Sequence, residues 1–388
     1  MCCGPVPTAG RAERERVRPH NGGGLSTDRK DPARVENVLT SADRVLVLGA
    51  SGFVGSHLAP MFDRLGVEFV RFDLYEDPHA DAPTQIGDVR DVDALIEAMT
   101  DCTAVLNLAA AHHDFGITTS TFESVNVGGA RAVCAAMDHH GITNLCFYSS
   151  VAVYGEQDTP PSETSTPTPV NDYGRSKLAA EGAYRDWQRS GPGRRALIIR
   201  PAVVFGPRNF ANVYRLIQQI DRRRFLPVGP GTNRKSMCYV TNVVDAIGHL
   251  WAAPSRVADG QDEVYNYVDK PDLMSREVVS AVYAGLGRRQ PGLRIPLTPA
   301  LLAAKPFDLI AAATGRNLPV TSARIRKLSD SETSFLADRV AGTGFEPSVT
   351  LPDGLEAMVR WYLDGGRETA PVVHLPPAQV ARRPSGTR

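Results

Sequence analysis

From residue 44 onward, short and almost continuously apolar runs alternate with longer amphipathic segments. Apolar runs of this kind are typical of parallel strands covered by helices on both faces, and the longer segments have the length of helices. The alternation therefore predicts repeated strand–helix–strand units. The predicted strands are Arg44–Leu48, Glu68–Phe72, Ala104–Leu108, Asn144–Ser149 and Ala196–Arg200, and the predicted helices are Gly55–Leu65, Asp91–Met99, Ser124–His139 and Tyr173–Ser190.

The regular alternation weakens after Phe205, where glycines and prolines mark loops. We therefore expect an α/β fold in two parts. A Rossmann-type doubly wound parallel sheet is predicted over residues 43–203, and a smaller C-terminal substrate-binding region over 204–366. Some elements of the second part are expected to return to the sheet, because Glu263–Val268 has the pattern of a late strand. Leu355–Leu363 is predicted to be a closing helix.

The two ends of the chain lack this apolar pattern. Residues 1–42 are rich in Gly, Arg, Pro and Asp, so we expect a disordered N-terminal extension. Residues 367–388 carry several prolines and arginines, and we expect a flexible tail. Neither end is therefore expected to contribute to the core.

Composition narrows the classes of function. Lysines plus arginines and aspartates plus glutamates both number 43, so net charge does not favour nucleic acid as a partner. No apolar run reaches the roughly 18 residues that a spanning helix needs, and a cytoplasmic location is predicted. The 6 cysteines show no metal-ligand spacing and lie mostly in apolar runs, which indicates a reducing compartment and predicts no metal site.

The first predicted strand leads into a glycine-rich turn and then a helix. The turn reads Gly49-Ala50-Ser51-Gly52-Phe53-Val54-Gly55, a Gly-x-x-Gly-x-x-Gly pattern. Between a strand and a helix, such glycines allow a tight turn and bring backbone N–H groups to a pyrophosphate. The candidate cofactor-binding residues of this turn are Gly49, Gly52, Phe53, Val54 and Gly55.

A carboxylate at the end of the second predicted strand indicates which dinucleotide is bound. Asp73 can accept hydrogen bonds from both hydroxyls of an adenosine ribose and would repel a 2′-phosphate, so NAD is predicted rather than NADP. Arg71 lies two residues earlier on the strand and need not lie beside the ribose. The remaining candidates for cofactor contact are Asp88, Val89, Leu108, Ala109, Ala110, Asn126 and Pro201.

Several of these candidates have a structural alternative. Asp88 can accept from the adenine amino group while Val89 covers the ring, or Asp88 can cap the next helix. The small residues of Leu108–Ala110 permit close approach of the backbone to a cofactor, or simply tight packing. Asn126 can fix a loop carbonyl at the site or lie on a solvated helix face.

Ser150, Tyr173 and Lys177 have the residue types and spacing expected of groups that transfer a proton. Tyr173 and Lys177 are four residues apart on a predicted helix and share one face, and Ser150 ends an upstream strand. A tyrosine has an ordinary pKa near 10, and a neighbouring ammonium favours the phenolate. Tyr173 can then take a proton from a substrate hydroxyl while a hydride leaves the same carbon. The alternative for Ser150 is a hydrogen bond to the backbone at the strand end.

Taken together, these segments resemble the extended short-chain dehydrogenase/reductases, in particular the sugar epimerase/dehydratase group. The likeness covers residues 44–364 and rests on Gly49–Gly55, Asp73, Asp88-Val89, Leu108–Ala110, Tyr148–Gly155 and Tyr173–Lys177. It implies Ser150 as the catalytic hydroxyl and Tyr173 as the base. It further implies that Lys177 lowers the tyrosine pKa and holds the nicotinamide ribose, and that the protein is a homodimer.

One departure from the group limits the chemistry. Sugar 4,6-dehydratases have an acidic pair directly after the catalytic hydroxyl, whereas Val151 and Ala152 follow Ser150 here. A decarboxylating relative would have a glutamate at this place. The resemblance therefore favours hydride chemistry alone, with oxidation at a carbinol and return of the hydride.

The C-terminal region is similar to the bacterial N-acetylglucosaminyl-diphospho-undecaprenol 4-epimerases, which invert C4 of a sugar joined through diphosphate to a polyprenol. The segments that carry this likeness are 205–209, 212–214, 231–237 and 263–273. Val203 stands where UDP-sugar epimerases have an asparagine that holds the nucleotide diphosphate.

The substrate end is expected to carry cations and polar groups. Lys235 matches a diphosphate-binding arginine of the family, and Arg326 can supply a second cation. Asn212 and Ser150 complete the predicted substrate-binding set. His112 and His113 are predicted to face the substrate or the solvent rather than a metal, because adjacent histidines point apart.

The expected function is NAD-dependent 4-epimerisation of a diphosphate-linked sugar, GlcNAc or GalNAc on a polyprenyl diphosphate, through a transient 4-keto sugar. A UDP-sugar 4-epimerase and an NAD-dependent dehydrogenase or reductase of a sugar or sterol-like alcohol are alternatives with the same three catalytic residues. A dinucleotide sensor is a further alternative, but it would need none of them. Leu297–Ala313 is apolar and can either contact the inner membrane face peripherally or pack within the small domain.

Overall fold

The computed structural model describes residues 38–112, 117–257, 261–292, 294–314, 322 and 333–369. Within them, seven strands form one sheet in the order β3-β2-β1-β4-β5-β6-β9, and every pairing in it is parallel. Its strands are β1 Arg44–Leu48, β2 Glu68–Asp73, β3 Thr84–Ile86, β4 Ala104–Asn107, β5 Asn144–Tyr148, β6 Arg195–Pro201 and β9 Val264–Tyr267. A smaller sheet, ordered β10-β8-β7, contains β7 Val203–Phe205, β8 Arg234–Tyr239 and β10 Asp269–Met274.

Helices connect these strands along the chain. They are α1 Ala59–Leu65, α2 Val92–Ala98, α3 Thr119–Phe122, α4 Gly129–His140, α5 Asp172–Arg189, α6 Asn212–Asp221, α7 Val240–Trp251, α8 Ser275–Gly285, α9 Leu297–Thr314, α10 Asp338–Ala341 and α11 Leu351–Trp361. Short 3-10 turns lie at Gly55–His57 and Val151–Val153, and π-helical segments lie at Glu123–Gly128 and Tyr362–Gly366.

The large sheet confirms the predicted fold class. The order β3-β2-β1-β4-β5-β6 is that of a doubly wound Rossmann sheet, in which successive strands are added first on one side of β1 and then, from β4 onward, on the other. One apolar core packs α1 and α7 against one face, and a second core packs α2, α4 and α5 against the other. Burial on both faces is why the strands are apolar at nearly every position.

The predicted late strand is present as β9, which pairs with β6 and extends the large sheet. The C-terminal region has its own core, formed by residues of β7, β8, α6, α8 and α11. Of the predicted terminal segments, residues 1–37 and 370–388 lie outside the described part of the chain.

Two predicted helices begin differently in the structure. The helix predicted from Gly55 starts as a 3-10 turn, and α1 begins only at Ala59, because Pro60 lacks an N–H and is best placed in a first turn. The helix predicted from Ser124 opens with the π-helical segment Glu123–Gly128 before α4. Such π-helical turns are frequent at functional sites.

None of the helices in the described ranges is long and apolar enough to cross a membrane. The cysteines within these ranges, at positions 102, 134, 146 and 238, are free thiols, and all but Cys134 are buried. Burial raises the pKa of Cys102 to about 11, which keeps its thiol protonated and unreactive.

Candidate active site

A cavity of about 1090 Å³ opens at the carboxyl ends of the strands in the large sheet. It extends from the β1 and β4 ends, where the strand order reverses, to the first turn of α6 in the C-terminal region. Open parallel sheets bind ligands at this reversal point. The cavity is therefore the candidate active site.

The glycine-rich turn forms one wall of the cavity, as its position after β1 predicts. Gly49 has φ of +81°, and a Cβ placed there would lie 2.7 Å from the Ala109 nitrogen. A Cβ on Gly55 would lie 2.5 Å from the Ala50 carbonyl oxygen. A side chain at Gly49 would therefore clash with the chain after β4, and one at Gly55 would clash with the backbone of the turn itself. The two glycines leave a narrow backbone-lined cradle that fits a pyrophosphate.

Asp73 is the last residue of β2 and lines the cavity beside this turn. Its carboxylate accepts hydrogen bonds from the backbone N–H groups of Ser51, at 2.9 Å, and Leu74, at 2.6 Å. The buried Arg71 donates to the Ala50 carbonyl, at 2.9 Å, and pairs with Asp77. Because the Arg71 guanidinium is bound to Ala50 and Asp77, the charged group left to face an adenosine ribose is the Asp73 carboxylate. A carboxylate there would repel the 2′-phosphate of NADP, so the arrangement favours NAD.

Asp88 and Val89 follow β3 and also line the cavity. The Asp88 carboxylate is already held by Arg90, through contacts of 2.6 and 2.9 Å. Asp88 is not the cap of the next helix, since Asp91 caps α2 by accepting from Ala94 N–H at 3.1 Å. Arg90 thus fixes the orientation of Asp88 at the cavity wall.

Asn126 lies in the π-helical segment and is buried, and it is not among the residues that line the cavity. Its side-chain amide donates to the Ala111 carbonyl, at 3.1 Å, and accepts from the Ala111 N–H, at 2.8 Å. It also donates to Ser176 on α5. Leu108–Ala111 and Pro201 do line the cavity. Asn126 therefore acts on the cavity wall through the main chain of Ala111.

Ser150, Tyr173 and Lys177 all line the same cavity. Ser150 follows β5, where its Oγ accepts from the Ala152 N–H at 3.1 Å, so the backbone fixes the hydroxyl. Tyr173 and Lys177 lie one turn apart on α5, which begins with Asn171 as its N-cap. The structure thus brings together the three groups that the sequence predicts for proton transfer.

Lys177 is 2% exposed, and its Nζ donates to the Tyr148 carbonyl oxygen at 2.6 Å. The ammonium also lies 4.4 Å from the centre of the Phe147 ring. Burial lowers the pKa of Lys177 to about 7, and the nearby Glu181 carboxylate opposes this shift. With a pKa near neutrality, Lys177 would gain or lose its proton in response to a small change in its surroundings.

This lowered pKa predicts how stability depends on pH. An unfolded lysine keeps its proton up to about pH 10.4, so between about pH 7 and 10 the unfolded chain holds more protons than the cofactor-free native protein. The contribution of Lys177 to the free energy of unfolding should therefore rise as the pH increases from about 7 to about 10. Urea unfolding of wild type and Lys177→Met would measure it, and the wild type should gain stability relative to the variant as pH rises. A difference that does not change with pH would contradict the assignment.

A buried ionic network centred on Glu181 lies behind Ser150, Tyr173 and Lys177 in the interior of the protein. Glu181, one turn after Lys177, is fully buried and accepts from Arg200 at 2.6 and 2.9 Å and from Arg185 at 2.8 Å. It also accepts from the hydroxyl of Ser149, the residue before Ser150. The network therefore joins α5, β5 and β6 at the point where all three reach the cavity.

The far end of the cavity is formed by the C-terminal region. Asn212 and Arg215 lie three residues apart on α6 and both line it, together with Phe210 and Trp361. Arg208 also lines the cavity. Its guanidinium forms an ion pair at 2.7 Å with the carboxylate of Asp77, another lining residue. This end therefore combines cationic groups with aromatic rings.

Two predicted substrate residues are not brought to the cavity by the described part of the chain. Lys235 lies on β8, opposite Leu273 of β10, and is not a lining residue. Arg326 falls outside the described ranges, as does His113, whereas His112 lines the cavity. Within those ranges, no group of three His, Cys, Asp or Glu side chains could hold a metal ion.

Sequence reasoning missed Tyr148, Asp77, Arg208, Arg215 and Trp361 as cavity residues. Arg215 could have been found from its spacing, because it lies one helical turn after Asn212. The ion pair between Asp77 and Arg208 joins two loops that are 131 residues apart in the chain, so no local sequence pattern predicts it.

The strand order, the glycine-rich turn and the grouped Ser150, Tyr173 and Lys177 define the class of the protein as an extended short-chain dehydrogenase/reductase. A family model supports this assignment: the NAD dependent epimerase/dehydratase family matches residues 45–267, more than half of the chain. The chain belongs to that family, and its cofactor is NAD.

A curated relative is the N-acetyl-alpha-D-glucosaminyl-diphospho-ditrans,octacis-undecaprenol 4-epimerase of Escherichia coli O157:H7. It is 41% identical over 324 residues, which cover 82% of this chain and 95% of that protein. A UDP-glucose 4-epimerase of Rhizobium leguminosarum bv. trifolii is 31% identical over 170 residues, covering 41% of this chain and 51% of that protein. The family resemblance drawn from the motifs is confirmed.

Solved structures share the fold. The UDP-glucuronic acid 4-epimerase of Bacillus cereus in complex with NAD superposes with a TM-score of 0.65 at 20% identity, covering 83% of this chain and 99% of that one. The UDP-glucose 4-epimerase of Thermus thermophilus in complex with NAD gives a TM-score of 0.63 at 21% identity, covering 82% and 99%. At these identities the likeness supports the fold alone.

Proposed function

We propose that this protein is an NAD-dependent 4-epimerase of a sugar carried on a diphosphate, GlcNAc or GalNAc on a polyprenyl diphosphate, acting through a transient 4-keto sugar. The observation that carries the proposal is the placement of Ser150, Tyr173 and Lys177 in one cavity with the dinucleotide cradle. The choice of substrate is supported by the Escherichia coli O157:H7 relative, which is named for this reaction.

In this proposal, Tyr173 removes the proton of the C4 hydroxyl, and Ser150 holds the same oxygen by a hydrogen bond. NAD held by the glycine-rich turn and Asp73 would accept a hydride from C4 and later return it. The keto sugar turns within the cavity before the hydride returns to the opposite face of C4, and Tyr173 gives the proton back. The configuration is thereby inverted with no net oxidation.

Lys177 has the supporting role. A ribose hydroxyl at Nζ would give the buried lysine an additional acceptor and favour its ammonium form, which in turn favours the Tyr173 phenolate. Val151 and Ala152 follow Ser150, so no acid stands there to expel water from C6. This residue pattern supports epimerisation over dehydration.

The carrier end is the less constrained part of the proposal. Arg215 lines the cavity and makes no ion pair within the described ranges, so its guanidinium can hold a diphosphate beside Asn212. Lys235 and Arg326 remain predicted contributors. Val203 is 45% exposed and does not line the cavity, so it offers no counterpart to the asparagine that grips a nucleotide diphosphate.

The experiment that tests the function uses the purified full chain without added NAD. GlcNAc-diphospho-polyprenol and UDP-GlcNAc are supplied separately, and the products are analysed for the galacto epimer. We expect the epimer from the polyprenol substrate. Epimer from UDP-GlcNAc alone would select the nucleotide-sugar alternative. In a parallel assay with NAD added, net formation of NADH without epimer would select a dehydrogenase. No product from either substrate would contradict the proposal.

A peripheral contact with the inner membrane face is part of the same proposal. On α9, Leu302 is 58% exposed and Phe307 is 43% exposed, which supports insertion of this helix among lipid headgroups. The double variant Leu302→Ser/Phe307→Ser should lose sedimentation with lipid vesicles, whereas Val170→Ser, also at an exposed apolar site, should not. Vesicle binding unchanged in the double variant would contradict the contact.

We also propose that the protein is a homodimer through α4 and α5. Ala179 on α5 is exposed, and a Cβ at Gly182 would meet no atom within 4 Å, so small residues leave this helix face open to a second copy. Gly182→Arg should convert the dimer to a monomer in light scattering. A monomeric wild type would contradict the proposal.

A further inference from the structure

Three consecutive arginines follow α6 on the surface of the C-terminal region. Arg222, Arg223 and Arg224 are all exposed, and none of them makes an ion pair or a side-chain hydrogen bond with another residue of the described ranges. The adjacent carboxylate of Asp221 is already engaged, because it forms an ion pair with Arg288. The three guanidinium groups therefore form a local concentration of positive charge that no described carboxylate pairs with.

The backbone that carries these arginines has a fixed conformation. The N–H groups of Arg223 and Arg224 donate to the carbonyls of Ile220 and Gln219, at 3.0 and 2.8 Å, and close the end of α6. Arg223 has φ of +56°, in the left-handed region that glycine favours at the end of a helix. Among the described residues, the arginine side chains do not bond the last carbonyls of α6. Closing the helix therefore does not require a cation here.

An exposed apolar side chain lies two residues after the last of these arginines. Leu226 is 67% exposed, more than any other large apolar side chain in the described ranges. The next residue, Pro227, accepts from the N–H of Ile295 at 2.9 Å, and Ile295 lies two residues before α9 begins. The exposed Leu302 and Phe307 follow on that helix. Residues 222–226, the arginine loop, thus combine cations with an apolar side chain and adjoin the segment that leads into α9.

α6 connects the arginine loop to the candidate active site. Asn212 and Arg215, near the start of this helix, line the cavity, and the loop follows its last residue. A helix of 10 residues is about 15 Å long. The loop therefore lies about one helix length from the end of the cavity that is proposed to hold the diphosphate.

We propose that the arginine loop binds the anionic headgroups of phospholipids with its guanidinium groups while Leu226 inserts among them. Basic residues are attracted to anionic lipid, and an apolar side chain is buried at the boundary between headgroups and acyl chains. The exposed Leu226 favours a membrane over a nucleic acid or an acidic protein, and the balanced charge of the whole chain gives those partners no general attraction. The inference rests on the proposed membrane contact and deepens it by naming the class of lipid.

The test is the triple variant Arg222→Gln/Arg223→Gln/Arg224→Gln, measured by sedimentation of the full chain with vesicles. Vesicles of phosphatidylcholine alone are compared with vesicles that also contain phosphatidylglycerol. Wild type should bind the anionic vesicles more tightly, and added salt should weaken this binding. The variant should bind them about 100-fold more weakly, because each basic residue near an anionic surface contributes about a fivefold factor. Its affinity for phosphatidylcholine alone should not change.

The matched control is Arg64→Gln/Arg189→Gln/Arg360→Gln, which removes the same number of exposed positive charges from α1, α5 and α11. It should keep most of the wild-type affinity for anionic vesicles. Equal losses in the two triple variants would overturn the inference, as would equal binding of wild type to both kinds of vesicle. Retention of wild type on heparin without any vesicle binding would assign the arginines to an acidic macromolecule instead.

The contact made by α9 is separated from that of the arginine loop by lipid composition. Leu302→Ser/Phe307→Ser should lose binding to both kinds of vesicle, whereas the arginine variant should lose binding only to the anionic kind. A lower midpoint of thermal unfolding with unchanged vesicle binding would show that the arginines only stabilise the end of α6, and would overturn the inference. Binding is measured without sugar, so a failure of the epimerase assay would leave this result interpretable.

Discussion

Tyr173→Phe should lower epimerase turnover by about 10²- to 10⁴-fold, the range that a positioned general base contributes. The substitution removes only the phenolic oxygen, which would accept the C4 proton, and leaves a ring that still packs near Phe122. The fold and NAD binding should therefore persist. The measurement is the rate of epimer formation together with the amount of NAD that copurifies.

The matched control is Tyr75→Phe, which removes the hydroxyl of a tyrosine that is partly exposed and does not line the cavity. It should keep wild-type turnover. Full activity of Tyr173→Phe would show that another group takes the proton. Loss of both activity and NAD would instead indicate a damaged cavity, and the assignment of Tyr173 as the base would then lack its support.

The second large effect concerns stability. Glu181→Gln should lower the free energy of unfolding by about 3–5 kcal/mol, because it leaves the guanidinium of Arg200 buried without its carboxylate. Arg200 is itself buried, and an arginine stays protonated in a protein even without its carboxylate, so the variant would keep a buried charge. Chemical denaturation of the variant and wild type measures the difference.

An exposed ion pair provides the control for this prediction. Glu356 on α11 pairs with Arg360 at 2.6 Å, and both side chains are largely exposed. Glu356→Gln should change stability by less than about 1 kcal/mol, because solvent screens such pairs. The double variant Glu181→Leu/Arg200→Leu should recover part of the loss, since the Arg200 charge is gone and Arg185 keeps its ion pair with Asp262. A loss at Glu181 no larger than at Glu356 would contradict the role of the network.

The sequence predicts six of the seven strands of the large sheet to within one or two residues, because a buried parallel strand has a local signature of continuous apolar character. The short β3 at the edge of the sheet is not among the predicted strands. The glycine-rich turn and the four-residue spacing of Tyr173 and Lys177 are equally local. These features depend on neighbours in the chain, so they can be read without knowing the fold.

What the sequence does not reveal depends on distant partners. Glu181 looks like an ordinary helix residue until α5 packs on β6 and brings it to Arg200. The Tyr148 hydroxyl has no hydrogen-bond partner among the described residues, and this too is visible only when its neighbours are placed. The late start of α1 has a local cause in Pro60, whereas the π-helical segment at Asn126 lies where this side chain bonds the main chain of Ala111, 15 residues earlier.

The central claim is that C4 loses and regains the same hydrogen within one cavity. It is tested most directly with GlcNAc-diphospho-polyprenol that carries deuterium at C4, incubated with the protein without added NAD. We expect the galacto product to keep the deuterium at C4, and unlabelled substrate in deuterated water to acquire none there. Loss of the C4 deuterium to solvent, or its uptake from deuterated water, would contradict the account.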